Sequence, residues 1–270
     1  MYIVWLVMLF VVGACVGSFL CCQARRMHLK ATNKNAKKLG KRSVCMQCKY
    51  QLRWYDNIPV LSWLRLRGKC RKCDCKIGAA ELLAELGMGL ACVALGTTMD
   101  IATAMPWDWV VFGAMMVLLM MLGELAIYDG LYGELPVLCL TMAAVCAIMI
   151  LILKEWSLLS AAPFSMTENI WKPLGAVAIL GGLYLVLYLV SKGKWVGDGD
   201  WILGAIMGAT LMSPWLALVA LCITNVLACV VTLPVIRKVH NKRIHLGPFM
   251  VAAWVITVAL AGVLNSIIGG

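Results

Sequence analysis

Charged residues are scarce in this chain. Only 14% of its 270 residues are Asp, Glu, Lys or Arg, whereas 63% are hydrophobic. A soluble globular domain averages about 45–50% apolar residues, so this composition excludes an ordinary soluble protein and predicts one embedded in a membrane. The first apolar run also lacks the basic start of a secretory signal peptide, so we expect it to be a membrane helix that is not cleaved.

Several apolar runs are long enough to cross a bilayer, which takes about 20 mostly apolar residues per helix. The predicted fold class is therefore an all-α polytopic membrane protein with about eight transmembrane helices. Seven runs have the required length: residues 2–22, 80–98, 107–128, 135–153, 172–191, 215–236 and 247–267. An eighth run, residues 200–212, is short and ends before a Ser-Pro step.

Basic residues are concentrated in three segments between these runs. Of the 24 Lys and Arg, 16 lie in residues 25–76, and smaller groups lie in residues 192–194 and 237–243. If eight helices cross and both termini lie outside, the positive-inside rule places all three segments in the cytoplasm. The net charge of +11 could instead suggest nucleic-acid binding. We reject that alternative because the charge is juxtamembrane, where it fixes orientation and attracts anionic lipid.

Two cysteine pairs lie in the one sizeable segment outside the apolar runs, residues 27–79. Cys45 and Cys48 are followed, after 21 intervening residues, by Cys70 and Cys73. Two Cys-x-x-Cys pairs at such a separation are a strong zinc signature, because four thiolates complete a tetrahedral shell. We therefore expect a structural zinc ion that clamps a segment too short to bury much core.

The assignment of the zinc ligands has alternatives. Cys75 could replace Cys70 in the second pair, although the spacing favours Cys70. Disulfides or free thiols are the other possibilities, and a cytoplasmic location argues against disulfides. With the zinc site, the predicted organisation is a first transmembrane helix at residues 1–26, a zinc-binding loop domain at 27–79 and a seven-helix membrane domain at 80–270.

Two aspartates lie where apolar runs meet the predicted cytoplasmic face. Asp129 follows the third run, and Asp200 begins the short one. A carboxylate at the bilayer centre costs about 2.5–3.5 kcal/mol on insertion scales, so acids near membrane depth usually have a function. Two carboxyls that share a proton can hydrolyse a peptide bond, with one taking a proton from water and the other donating one to the carbonyl. The helix N-terminus favours a charged Asp200, which leaves Asp129 as the expected proton holder.

The other acids near this face have weaker claims to a site role. Asp198 competes with Asp200 on position alone, and Glu124 could line the same cavity as the pair. Glu81 and Glu85 lie four residues apart in the first turns of a helix, where the helix dipole suits them. A site role is the alternative for both of these glutamates.

Further motifs extend along the chain. They are GSFL at residues 17–20, RWYDNIPVLSWLRLRGKCRKC at 53–73, ELL at 81–83, the Leu-Pro step at 135–136, and GPF at 247–249. Gly197, Gly199 and Asp200 form a GxGD motif. With the cysteine pairs, these residues resemble the bacterial type IV prepilin peptidases, also called leader peptidase/N-methyltransferases, which are membrane aspartic proteases of the GxGD type. The similarity in residues 53–73 is almost residue for residue.

The resemblance implies roles for the residues of the GxGD motif and its partner. Asp129 and Asp200 would be the catalytic acids, Gly197 and Gly199 would support the site through their backbone, and Asp198 would occupy a variable position. The implied activity is removal of a short basic leader from type IV prepilins and pseudopilins, after a glycine, at the cytoplasmic face of the inner membrane. Family members with the cysteine loop also methylate the new N-terminus with S-adenosylmethionine. The expected partners are prepilin substrates and the lipid bilayer, without nucleic acid.

Two residues depart from the pattern of the family. Val137 stands where an acid usually follows Leu-Pro, and Ile202 stands where a lysine usually follows the GxGD aspartate. Neither replaces a proposed proton-transfer group, so cleavage is still expected, although rate and substrate choice could differ. A basic loop should repel a basic leader, and four acids could receive its charges instead: Asp56, Glu81, Glu85 and Asp198.

Two other classes of protein share some of these features. An intramembrane aspartic protease of the presenilin or signal-peptide-peptidase type would have the paired acids, but it would also carry a Pro-Ala-Leu motif, which this sequence lacks. A non-enzymatic transporter or scaffold would use Asp129 and Asp200 to bind a cation or relay protons. The short run after the glycines would suit a broken transport helix, but no internal repeat supports that alternative.

Overall fold

The computed structural model describes residues 2–32, 44–45, 47–48, 50–161, 166–236 and 245–268. In these residues the regular structure is helical, and β-pairing is limited to two isolated bridges. The prediction of an all-α protein is therefore confirmed. The basic cluster at residues 237–243 lies outside the described residues, as does the basic stretch from residue 33 to residue 42.

The chain forms two compact units, residues 1–93 and residues 94–270. The first unit contains the long helix α1 (Tyr2–Thr32), the short helix α2 (Leu61–Arg65) and most of α3 (Ala79–Gly96). Helix α1 continues beyond its predicted end at residue 22. Hydropathy marks the apolar part of a helix, whereas the hydrogen bonds of this one continue through its polar end.

Glycines bring α1 and α3 into close contact. A Cβ atom on Gly13 would lie 2.6 Å from the carbonyl oxygen of Met88, and one on Gly17 would overlap the backbone of Ala84. Two glycines four residues apart are a common device for close approach of membrane helices, because the absent side chains let the backbones meet. The GSFL motif, which begins at Gly17, therefore has a packing role in the first unit.

Seven further helices of the described residues belong to the second unit. They are α4 (Pro106–Tyr132), α5 (Val137–Ala161), α6 (Met166–Val177), α7 (Leu183–Ser191), α8 (Asp200–Leu211), α9 (Pro214–Ile236) and α10 (Gly247–Ile268). A π-helical turn at Ala178–Gly182 joins α6 to α7 without a break. Such turns are rare and often lie near functional sites.

Seven helices of the described chain are long and apolar enough to cross a membrane. They are α1, α3, α4, α5, the path from Trp171 to Ser191 through α6 and α7, α9 and α10. This confirms a polytopic membrane protein. Helix α8 has 12 residues and therefore rises about 18 Å, which is less than the roughly 30 Å of a bilayer core. The crossing expected of residues 200–212 stays a prediction.

Helix α8 is held along one side and at its C-terminal end. Cβ atoms on Gly204 and Gly208 would lie 2.8 and 2.6 Å from carbonyl oxygens of the helix path formed by α6 and α7. At the C-terminal end, Lys154 Nζ donates to the carbonyl oxygen of Thr210 at 3.2 Å, and Trp254 Nε1 donates to its hydroxyl at 3.0 Å. These contacts fix the helix that presents Asp200 at its N-terminus.

Candidate active site and metal centre

Asp200 is the inward-facing acid of the GxGD motif. It is the first residue of α8, and its side chain is buried, with 6% of the residue exposed. The backbone N–H of Gly197 donates to Asp200 Oδ2 at 2.8 Å. A Cβ atom on Gly197 would lie 3.1 Å from the same oxygen, so a glycine leaves the room that this contact needs. Asp198 is exposed, and the motif therefore orients its two acids in different directions.

Asp129 is held by the backbone of two helices. It lies near the end of α4 and is 5% exposed. Gly133 caps the C-terminus of α4, where it adopts a left-handed conformation (φ 70°) and donates its N–H to the carbonyl oxygen of Asp129 at 2.8 Å. The carboxylate itself accepts a hydrogen bond from the backbone N–H of Gly247, the first residue of α10, at 2.9 Å between nitrogen and Oδ2.

The fold brings Asp129 and Asp200 together. The two carboxylates are close enough to interact electrostatically. The Leu-Pro step that follows α4 also packs on the GxGD motif, since a Cβ atom on Gly199 would lie 2.7 Å from Leu135 Cδ1. A side chain at Gly199 would therefore prevent the Leu-Pro step from approaching the GxGD motif this closely.

Each of the two carboxylates meets the N-terminus of a helix. Asp200 lies in the first turn of α8, and Asp129 accepts the first N–H of α10. A helix N-terminus carries a partial positive charge that stabilises an anion. The helix dipoles therefore do not favour one of the two acids as the proton holder, because Asp129 lies not only at the end of one helix but also at the start of another.

Two residues that sequence reasoning missed lie close to the pair. His245 interacts electrostatically with Asp129, and a Cβ atom on Gly133 would lie 2.8 Å from its Nε2. Tyr184, on α7, is buried and within electrostatic reach of Asp200. Neither residue belongs to a motif that the sequence analysis could have used, because both reach the site only through the packing of distant helices.

The other acids and the two departures from the family pattern lie in different surroundings. Glu124 is buried in α4, and its Oε1 has no hydrogen-bond partner in the described part of the chain. Val137 is 73% exposed in the first turn of α5, and Ile202 is half-buried in α8. The missing acid at residue 137 would therefore have stood on an exposed surface and not in the buried pair.

The two cysteine pairs form equivalent small turns in the first unit. Val44 pairs with Gln51 across the first turn, and Lys69 pairs with Lys76 across the second. In each turn the N–H of the first cysteine donates a hydrogen bond to the carbonyl oxygen five residues later. Cys45 donates to Tyr50 and Cys70 donates to Cys75, both at 2.9 Å. The second turn thus repeats the backbone pattern of the first.

The four sulfurs of Cys45, Cys48, Cys70 and Cys73 converge within 4.8 Å of one another. Tetrahedral zinc with Zn–S bonds of about 2.3 Å requires sulfurs about 3.8 Å apart. The sulfurs of Cys45 and Cys73 lie 3.8 Å apart, and those of Cys48 and Cys70 lie 4.0 Å apart. The residues therefore fit a four-thiolate metal site.

Cys75 is the fifth cysteine of this group. Its sulfur lies 3.5 Å from that of Cys45, so distance alone does not exclude it as a ligand. Cys75 occupies the place in the second turn that Tyr50 occupies in the first, as the acceptor of the hydrogen bond that closes the turn. Because Tyr50 is not a metal ligand, the equivalence of the two turns favours Cys70 and Cys73 as the second pair.

Backbone N–H groups lower the pKa of the first thiol of each pair. The backbone N–H of Cys48 is the main cause that lowers the pKa of Cys45 to about 6. The backbone N–H of Lys72 is the main cause that lowers the pKa of Cys70. Since the thiolate is the form that binds a metal, N–H groups directed at these sulfurs suit a metal site.

Three acids of the first unit are engaged by neighbouring groups. Asp56 Oδ1 accepts two hydrogen bonds from the Arg71 guanidinium, at 2.7 and 2.9 Å, and Oδ2 accepts the backbone N–H of Arg53 at 3.3 Å. Glu85 Oε2 accepts the N–H of Val60 at 2.7 Å. Asp56 and Glu85 are also buried, so they are unsuited to receive the charges of a basic leader. Glu81 pairs through Oε1 with Arg25, at 2.6 Å.

Residues 11–99 match the family model described as the Bacterial Peptidase A24 N-terminal domain. Proteins from Neisseria gonorrhoeae and Aeromonas hydrophila, both named Prepilin leader peptidase/N-methyltransferase, are 31% and 30% identical to the chain over 224 and 228 residues. These alignments cover 80% and 79% of this chain, and 71% and 70% of the two relatives. A protein of the same name from Myxococcus xanthus (strain DK1622) is 45% identical over 84 residues, which are 31% of this chain and 24% of that protein. No solved structure matches the chain.

Proposed function

The chain belongs to the prepilin leader peptidase/N-methyltransferase family, and on this basis we propose that Asp129 and Asp200 together cleave prepilins and pseudopilins. The cut removes a short basic leader after a glycine and before an apolar helix. The observation that carries the proposal is the convergence of two buried aspartates, each bound by a backbone N–H from a glycine of a family-like motif. A scissile bond beside a membrane helix is best reached by acids that share its depth.

The pair acts as a general base and a general acid. In the proposed mechanism the two carboxyl groups share one proton, so that one is charged and the other is neutral. The charged carboxylate takes a proton from water as the water oxygen attacks the peptide carbonyl carbon, and the neutral carboxyl donates its proton to the carbonyl oxygen. The carboxyl that took the proton then gives it to the amide nitrogen as the carbon–nitrogen bond breaks, and the other carboxylate takes a proton back from a hydroxyl of the diol. Both backbone hydrogen bonds end on Oδ2, and they hold each carboxylate in place while Oδ1 exchanges protons.

The site is proposed to open at the cytoplasmic face of the inner membrane. Sixteen of the 24 Lys and Arg lie in residues 25–76, and the positive-inside rule places such a segment in the cytoplasm. Asp129 lies at the end of α4 and Asp200 at the start of α8, as expected of acids at a membrane edge. The leader of a prepilin would reach them from the cytoplasm while its apolar helix stays in the bilayer.

The metal of the four-cysteine site is proposed to be zinc, with a structural role. Its ligands would be Cys45, Cys48, Cys70 and Cys73, whose spacing and sulfur separations suit tetrahedral zinc. With two ligands from each cysteine turn, one metal ion would hold the two turns together. Because four thiolates leave no open coordination position, we assign the metal no part in the cleavage step.

The second proposed activity is N-methylation of the new N-terminus. The names of the relatives include N-methyltransferase, and S-adenosylmethionine is the proposed methyl donor. When bound, it supplies a methyl group that its positively charged sulfur activates for attack by an amine.

A substrate assay in membranes tests the cleavage proposal. The substrate carries a basic leader, a glycine and then an apolar helix, and its shortening is measured on a gel and by mass spectrometry of the new N-terminus. Asp129→Asn and Asp200→Asn should each abolish cleavage, whereas Asp198→Asn, an exposed neighbour of the same charge, should cleave like the wild type. Unchanged cleavage by the Asp200 variant would reject the proposed pair.

A further inference from the structure

A cavity of about 660 Å³ lies within the first unit. Its walls come from α1, α2, α3 and the two cysteine turns, and they carry charged side chains of both signs beside apolar ones. Ligand sites in proteins typically have volumes of about 300–1,000 Å³. The residues that line the cavity all belong to the first unit, whereas Asp129 and Asp200 belong to the second, and the proposed cleavage step does not use the cavity.

Two polar atoms buried at the walls of this cavity have no hydrogen-bond partner in the described residues. They are the indole Nε1 of Trp63 and the carboxylate Oε2 of Glu81. Buried polar groups nearly always have a partner, so each exception calls for an explanation. One of these atoms is a donor and the other is an acceptor, and a single ligand that offers both functions would satisfy them together.

Neighbouring residues fix these two side chains in position. Gly68 has a left-handed conformation (φ 65°), and a Cβ atom there would lie 2.8 Å from the indole ring of Trp63. Arg25 binds the other oxygen of Glu81 at 2.6 Å, which orients the carboxylate and leaves Oε2 for a ligand. A Cβ atom on Gly78 would be 3.7 Å from Oε2, so that glycine keeps the adjoining space open.

We propose that this cavity binds the methyl donor S-adenosylmethionine. The inference rests on the N-methyltransferase activity proposed above and names the residues that serve it. Trp63 would donate its N–H to a ring nitrogen of the adenine or stack against the base. Glu81 would accept a hydrogen bond from a ribose hydroxyl or from the amino group of the methionine part.

The charges at the cavity walls match the charges of this ligand. S-adenosylmethionine has a cationic sulfur and an ammonium group, which the carboxylate of Glu81 attracts, and one carboxylate, which Lys76 attracts. A basic leader peptide fits less well, because it would meet four cationic side chains at the same walls. A phosphate headgroup fits less well because an unsatisfied carboxylate oxygen repels an anion.

Binding of the methyl donor to the whole, metal-loaded protein in detergent tests the proposal without any turnover. Isothermal titration with S-adenosylmethionine should show a dissociation constant at least about tenfold higher than that of the wild type for Trp63→Phe and for Glu81→Gln, since each substitution removes one hydrogen-bonding function. Gly78→Val, which keeps both polar atoms but fills the space beside Oε2, should weaken binding as well. Trp215→Phe changes an exposed tryptophan of α9 and should bind like the wild type.

A second measurement needs no variant and guards against a loss of folding. Ultraviolet irradiation with S-adenosylmethionine that carries a tritiated methyl group, followed by peptide mapping, should label peptides from residues 18–85. Labels confined to residues 94–270, or wild-type affinity in all three cavity variants, would overturn the assignment. Binding of a synthetic leader peptide or of phosphatidylglycerol vesicles that is lost in those variants, with binding of the methyl donor unchanged, would overturn it in favour of that ligand.

The Asp129→Asn protein distinguishes the two proposals. It should bind the methyl donor with wild-type affinity while it fails to cleave the leader. If it cleaves, the proposed catalytic pair is wrong and the cavity assignment stands. If its leader cleavage is lost as expected but donor binding in the wild type does not depend on Trp63 or Glu81, the cavity assignment is wrong and the peptidase stands.

Discussion

The backbone N–H of Gly247 donates a hydrogen bond to the carboxylate of Asp129 across 118 residues of sequence. The contact joins the last helix of the chain to the end of α4. It explains why a glycine opens the GPF motif, since a Cβ atom at this residue would lie 2.8 Å from Asp129 Oδ2. The motif thus serves the proposed catalytic pair although it contains no group that could transfer a proton.

The first prediction concerns this glycine. Gly247→Ala should lower the rate of leader cleavage at least about tenfold, because the added methyl group displaces the carboxylate, and overpacking of this kind typically costs about 1–3 kcal/mol. The measurement is the cleavage rate in detergent together with the thermal unfolding midpoint. Gly262→Ala is the matched control on the same helix, since no atom lies within 4 Å of its added Cβ. Equal rates for the two variants would contradict the prediction.

The sequence allowed correct prediction of features that depend on local pattern. Run length identified the membrane helices, and the Cys-x-x-Cys spacing identified four thiols that the fold brings within 4.8 Å of one another. The pairing of Asp129 and Asp200 was inferred from their positions and chemistry, the resemblance selected Asp200 over Asp198, and the roles of both residues stay proposals. The burial of Asp200 and the exposure of Asp198 support that choice, although two acids two residues apart could not be separated by composition or hydropathy.

Features that depend on packing between distant segments could not be predicted. Nothing near Gly247 in the sequence indicates that its N–H binds a carboxylate of α4. The same holds for Asp56, which was considered as a receptor for a basic leader but is buried against Arg71. The π-helical turn at Ala178–Gly182 lies inside one uninterrupted apolar run, so neither composition nor periodicity marks it.

The second prediction concerns the docking of α8. Gly208→Ala should destabilise the protein by about 1–3 kcal/mol, because its Cβ would lie 2.6 Å from a carbonyl oxygen of the facing helix. A shift of α8 also moves Asp200, so cleavage should fall with stability. In Gly113→Ala, on α4, the added atom meets nothing within 4 Å, and the better helix propensity of alanine should leave stability unchanged or raise it by up to about 1 kcal/mol. Thermal unfolding in detergent compares the two, and a control that loses as much stability as Gly208→Ala would show that α8 is not specifically involved.

The third prediction separates the ligand cysteines from their neighbour. Cys48→Ser and Cys70→Ser should each reduce the zinc content of the purified protein, because a serine hydroxyl is a poor replacement for a thiolate in a four-cysteine site. Cys75→Ser should keep about one zinc ion per chain. Zinc is measured by inductively coupled plasma mass spectrometry on protein expressed without added metal. A loss of zinc in the Cys75 variant, with retention in the Cys70 variant, would reverse the assignment of the second pair.

The last prediction concerns the end of α8 that lies opposite Asp200. Lys154 Nζ donates to the carbonyl oxygen of Thr210 at 3.2 Å, and a cation near the C-terminus of a helix also stabilises its dipole. Lys154→Met keeps most of the side-chain volume but removes the donor and the charge, so it should lower the unfolding midpoint in detergent and reduce cleavage by displacing the helix that carries Asp200. Lys172→Met removes the same charge from an exposed residue of α6 and should behave like the wild type. If the two variants unfold at the same temperature, Lys154 does not hold α8, and the Trp254 hydrogen bond together with the Gly204 and Gly208 contacts must position Asp200 without it.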